Sequence, residues 1–166
     1  MTEKLEHDFN GENKASKVNN AISILIVDDN IDYLGLTEEY LRLLLPDARI
    51  DCLTDPESVA KKIEENKYDV IVSDYEMPCM NGLELLKLLR NKGNNIPFIF
   101  FTRSECGDIA SKAKNHGVTH FIEKGDNPLA DYRLLAEAIT SEVERKHSDE
   151  ELNERFLPKK NLLLPE

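Results

Sequence analysis

The chain has 166 residues, near the size of one ordinary domain, and carries 21 Lys+Arg against 32 Asp+Glu for a formal net charge of −11. That sign repels nucleic acid and anionic membrane, and the basic residues are scattered instead of gathered in a patch, so neither is expected as a direct partner. No apolar run is long enough to span a bilayer, the N-terminus lacks the apolar core of a signal peptide, and Cys52, Cys79 and Cys106 have no metal-ligand or disulfide spacing. The expectation is a reduced, cytoplasmic protein.

Residues 1–20 are mostly charged, Asn, Ser and Gly, and read as a flexible arm. A β-branched run, Ile22–Val27, then stops abruptly at Asp28-Asp29-Asn30; apolar at nearly every position, it suits a strand covered on both faces. Leu34, Leu41, Leu44 and Leu45 follow at helical spacing until Pro46. The alternation repeats: a strand over Arg49–Leu53 and a helix over Pro56–Glu65 with Pro at its start; a strand over Val70–Ser73 ending at Asp74 and a helix over Leu83–Asn91. Phe98–Phe101 is a strand ending at Thr102, followed by a helix over Asp108–Asn115; Val118–Glu123 is a strand ending at Lys124, followed by an amphipathic helix over Asp131–Arg145. Five strands alternating with five helices predict a doubly wound α/β fold around a parallel sheet, occupying residues 21–146.

In open parallel sheets, ligands bind beyond the carboxyl ends of the strands. Here those ends deliver Asp28 and Asp29, Asp74, Thr102 and Lys124 to one small cleft. Clustered carboxylates repel one another, and the simplest relief is a divalent cation. All-oxygen ligands select a hard one, Mg²⁺ or Mn²⁺. Lys124 and Thr102 would supply a cation and a hydroxyl donor to phosphoryl oxygens, leaving Asp74, alone at its strand end, as the nucleophile for phosphoryl transfer.

This constellation resembles the receiver domain of two-component response regulators (the CheY-like group). Asp28-Asp29 follows the first strand, and Asp74-Tyr-Glu-Met-Pro-Cys-Met-Asn-Gly82 is similar to the family's D-x-x-M-P-x-M-x-G loop. Thr102 ends the fourth strand, Lys124 lies 22 positions later, and Phe121 stands where the family places an aromatic switch. The wording around Phe98–Arg103 and Glu123–Asp126 looks most like archaeal receivers. The resemblance implies a flavodoxin-like sheet of strand order 2-1-3-4-5 and a phosphoacceptor role for Asp74. It also implies metal contacts from Asp29 and Asp74, from Asp28 through metal-bound water, and from the backbone carbonyl of Glu76. The partners it implies are a histidine kinase as phosphodonor and a downstream protein target or second response regulator. The protein would not be an enzyme in its own right, although it assists its own phosphorylation and dephosphorylation.

Two positions depart from the family pattern. Arg103 stands where a small residue is usual and is a candidate modulator with Glu76, able either to narrow access to Asp74 or to contact the phosphoryl group. Gly125 follows Lys124 where proline is usual, which removes a local lock on that loop.

Other function classes fare worse. A dinucleotide enzyme needs a glycine-rich turn after the first strand, and Asp28-Asp29-Asn30-Ile31 has none. A dehalogenase-type phosphatase would want D-x-D there and a cap insertion. A degenerate receiver acting only as a protein-binding or phosphate-sink module is the alternative, but it would have lost acids or lysine. After Arg145 only residues 146–166 remain, too few for a DNA-binding output domain of about 50 residues, so a single-domain regulator is expected. Ser148-Asp-Glu-Glu151 reads as a capping box starting a short separate helix within a tail over 147–166. Either this tail is frayed and solvated, or its Leu152, Phe156 and Leu162–Leu164 dock on the last-helix face or on a second subunit; a dimer, phosphorylation-dependent or tail-mediated, is a further expectation.

Overall fold

The computed structural model describes residues 21–103 and 107–156. In chain order these form β1 (Ser23–Val27), α1 (Ile31–Leu44), β2 (Arg49–Leu53), a 3-10 turn (Pro56–Ser58) leading into α2 (Val59–Glu65), and β3 (Val70–Ser73). Then come α3 (Gly82–Asn91), β4 (Phe98–Thr102), α4 (Gly107–Asn115), β5 (His120–Glu123) and α5 (Pro128–Phe156). The five strands are all parallel, in the order β2-β1-β3-β4-β5. The expected doubly wound, flavodoxin-like sheet is therefore observed.

The near-continuous apolar strands split into two cores by their period of two. Ile24 and Ile26 of β1 face α1 and α5, packing with Leu41, Val70, Val72, Ile99, Phe101 and Leu135. Leu25 and Val27 point the other way, with Ile71, Leu85, Leu86, Leu89, Phe98 and Phe100. Burial on both faces fixes the register, since slipping a strand by one residue would exchange its two faces.

Helix α5 differs most from expectation. It begins at Pro128, with the Asn127 side chain accepting from Ala130 N–H at 3.3 Å, and runs unbroken for 29 residues. Ser148 does not start a new helix; its hydroxyl donates back to the Glu144 carbonyl at 3.0 Å, inside the helix. Pairs at helical spacing, Arg145–Asp149 at 3.5 Å and His147–Glu150 at 4.0 Å, span the point where a break was expected. Leu152 and Phe156 are 50% and 81% exposed, so neither docks on the last-helix face as expected. The 1–20 arm, Cys106 and Leu162–Leu164 lie outside the described residues.

Gly82, which opens α3, is fixed by close packing. A Cβ there would overlap the Asp74 carbonyl oxygen and sit 2.5 Å from Phe100 Cε1. Gly82→Ala is expected to cost about 1–3 kcal/mol through overpacking, read as a lower urea midpoint with unchanged slope; an unchanged midpoint would show that the loop yields freely.

Candidate functional site

Each strand end delivers its side chain for a local reason. Beyond β1, Asp28 accepts from Asn30 N–H at 2.9 Å, while the Asn30 side chain accepts from Asp32 and Tyr33 N–H at 3.0 and 3.2 Å and caps α1. Beyond β3, Asp74 N–H donates to the Val27 carbonyl at 2.9 Å, drawing the two acidic loops together. Asp74–Gly82 then closes on itself: Gly82 N–H reaches the Tyr75 carbonyl at 2.8 Å, and Met80 N–H reaches Pro78 at 2.7 Å around Cys79. Cys79 has φ +67°, the rarer and more strained form of γ-turn. Asn81 and Glu84 form a reciprocal capping box at the start of α3.

The result is one acidic centre. Ligand oxygens of Asp28, Asp29 and Asp74 lie within 4.8 Å of one another, Asp28 buried, Asp74 half-buried and Asp29 exposed. Lys124, at the end of β5, donates to Asp28 Oδ2 at 3.0 Å, both side chains under one-tenth exposed. Its backbone N–H donates to the Thr102 carbonyl at 2.7 Å. Thr102 is 1% exposed, and its side chain is hydrogen-bonded to Asp74. All five strand-end residues expected at the site thus meet there. The all-oxygen donor set fits a hard divalent cation, and one ammonium against three carboxylates leaves excess negative charge for it to offset.

The remaining expectations sort differently. Arg103 is exposed, with its guanidinium carbon 4.5 Å from the centre of the Tyr33 ring. Lys124 Nζ is 4.9 Å from the same ring and 5.2 Å from that of Phe101, so two cations share one aromatic platform. Phe121 is half-buried beside Phe100, ring centres 5.9 Å apart. Phe100 in turn meets Tyr75 at 5.9 Å and packs under Gly82, so a single ring separates the Asp74 loop from Phe121. The Glu76 side chain is exposed.

Sequence reasoning missed Tyr33 and Asp131. Tyr33 carried no signal beyond its place in the first turn of α1. Asp131 accepts from Gly125 N–H at 2.8 Å, so the loop after Lys124 is tied down despite lacking proline.

Residues 24–137 match the family model described as the response regulator receiver domain. The chain belongs to that family. It is 33% identical over 125 residues to the stress response regulator protein 1 of Lodderomyces elongisporus, covering 74% of this chain and 34% of that protein. It is 26% identical to the cyclic di-GMP phosphodiesterase response regulator RpfG of Xanthomonas campestris, covering 90% of this chain and 39% of that one. The chain therefore spans well under half the length of these relatives. Among solved structures, a CheY-like receiver domain protein from Methanospirillum hungatei superposes with a TM-score of 0.68 at 24% identity, covering 78% of this chain and 98% of that one. That likeness speaks to the fold.

Burial pushes the Asp74 carboxyl above its ordinary value of 3.8, with the Asp28 charge adding to the rise and the Thr102 hydrogen bond and Lys124 opposing it. A carboxyl raised on folding contributes stability that is fully present below 3.8 and lost as pH climbs through the folded value. Without divalent cation, Asp74→Asn should therefore melt higher than wild type at pH 7, the gap closing as pH falls toward 3.8. Equal midpoints at pH 7, or a gap that widens in acid, would contradict this reading of the site.

Proposed function

We propose that the chain is a phosphoacceptor that takes a phosphoryl group on Asp74 from the phosphohistidine of a histidine kinase, in a Mg²⁺- or Mn²⁺-dependent reaction, and signals through protein contacts. The observation that carries this reading is the convergence of three carboxylates with Lys124 and Thr102 at one sheet edge. A carboxylate oxygen of Asp74 attacks phosphorus, a P–O bond forms as the P–N bond breaks, and the electron pair leaves on the imidazole nitrogen, which takes up a proton. Lys124 Nζ and the Thr102 hydroxyl supply donors to the phosphoryl oxygens. Asp29, Asp74 and Asp28 would hold the cation with the Glu76 backbone carbonyl, and when bound it offsets charge on the phosphoryl oxygens.

Output follows from Thr102. Once its hydroxyl turns from Asp74 to a phosphoryl oxygen, space opens on the Phe121 side, and the face formed by α4, β5 and α5 changes for a downstream target or second regulator. No described helix is long and apolar enough to cross a membrane; action in the cytoplasm is part of the same proposal. Arg103, its guanidinium carbon 4.5 Å from the centre of the Tyr33 ring, would modulate access to the site. Pairing of two copies through the α5 face belongs to the same reading.

Treatment with a purified kinase phosphohistidine donor and Mg²⁺ should give an acid-labile, hydroxylamine-sensitive label on Asp74, absent from Asp74→Asn. Wild-type labelling of that variant would refute the nucleophile, and an unlabelled wild type would leave a protein-binding module.

A further inference from the structure

Lysine is a poor fixed charge by itself: its four-carbon stem is flexible, and ordering it costs side-chain entropy. Four contacts hold Lys124: the ion pair to Asp28, the rings of Tyr33 and Phe101, and the backbone bond to Thr102. The chain then leaves β5 through Gly125, Asp126 and Asn127, all exposed, and a glycine immediately after the working residue gives the backbone its greatest freedom. What restrains it comes from α5. Asp131 Oδ2 accepts the Gly125 N–H at 2.8 Å, and a Cβ on Gly125 would stand in ordinary van der Waals contact, 3.6 Å, with both carboxylate oxygens. A charge-assisted bond of this kind is stronger than a neutral one, and a proline at 125 could not make it.

The carboxylate is mounted on a rigid support. The next residue, Tyr132, is 3% exposed, stacks on Tyr40 with ring centres 4.3 Å apart, and shares a 3.3 Å hydrogen bond with Thr37. The backbone that carries Asp131 is therefore anchored in the α1–α5 packing. It also lines, with Tyr33, Arg103 and Lys124, a cavity of about 40 Å³ beside the ammonium.

We propose that Asp131 is a positioning residue which, through the Gly125 N–H, clamps the loop that presents Lys124 to the phosphoryl group. The proposal rests on the phosphoacceptor reading of Asp74, and two measurements separate the fates of the two. In the full chain, amide exchange by NMR reads the clamp itself: Gly125 N–H should exchange about tenfold faster in Asp131→Ala than in wild type. Labelling of Asp74 by acetyl phosphate with Mg²⁺ reads its consequence. Asp131→Ala should slow it about tenfold at unchanged Mg²⁺ affinity, and Asp131→Asn, which keeps an acceptor oxygen, should restore most of the rate. Because Asp131 acts through Lys124, adding Asp131→Ala to Lys124→Met should slow labelling no further. Equal slowing in both backgrounds, or wild-type labelling by Asp131→Ala, overturns the proposal. So does a Gly125 amide indifferent to residue 131, whether or not Lys124→Met folds. An amide that depends on Asp131 in a wild type that takes no label supports the clamp and refutes only the role of Asp74.

Discussion

One ion pair crosses the mouth of the site and ties its two flanks together. Lys124 leaves the edge strand β5, and Asp28 leaves β1, with β3 and β4 lying between them in the sheet. Nζ and Oδ2 are nevertheless 3.0 Å apart, and both side chains are almost fully buried. Such a pair contributes little net stability compared with apolar packing, because desolvation offsets much of the attraction, but losing one partner leaves a buried charge uncompensated and costs several kcal/mol. Its value is positional. Asp74 and Thr102, at the ends of the intervening strands, are enclosed between the two charges. That enclosure is the burial that raises the Asp74 carboxyl above its ordinary value.

The ammonium is also shared. Asp28 holds it by charge, Tyr33 and Phe101 by their ring faces, and Asp131 indirectly through the backbone that follows. Below this charged layer the link toward the α4–β5–α5 face is apolar. Gly82 lets the Asp74 loop settle onto Phe100, and Phe100 lies across from Phe121 in the β4–β5 register. A change at Thr102 or in the loop thus meets a packed ring before it reaches the surface, and close-packed interiors transmit displacement instead of absorbing it.

Much of this was legible in the sequence because strands buried on both faces advertise themselves. Arg49–Leu53 and Val70–Ser73 appear with the bounds their composition suggests, and the polar residue that stops each of the runs leading to Asp28, Asp74, Thr102 and Lys124 is a site residue. Helix α5 was misread because Ser148-Asp-Glu-Glu151 satisfies two patterns at once: a capping box and a solvated helix face made of good helix formers. Local composition cannot choose between them, and continuation of the preceding helix, with its i,i+3 and i,i+4 pairs, prevailed. Tyr33 and Asp131 were invisible for a different reason. Their partners are distant in sequence or lie across a helix start, and no periodicity encodes a ring beneath a cation or a carboxylate beneath a glycine N–H.

Three carboxylates, only partly balanced by Lys124, would hold a single cation at the sheet edge. Titration with Mg²⁺, followed through backbone amide shifts, tests it directly. Saturable shifts should concentrate at Asp28, Asp29 and Asp74–Glu76, and Asp29→Ala should weaken the affinity by about tenfold or more, roughly 1.4 kcal/mol. Shifts centred elsewhere, or an affinity that Asp29→Ala leaves unchanged, would contradict it.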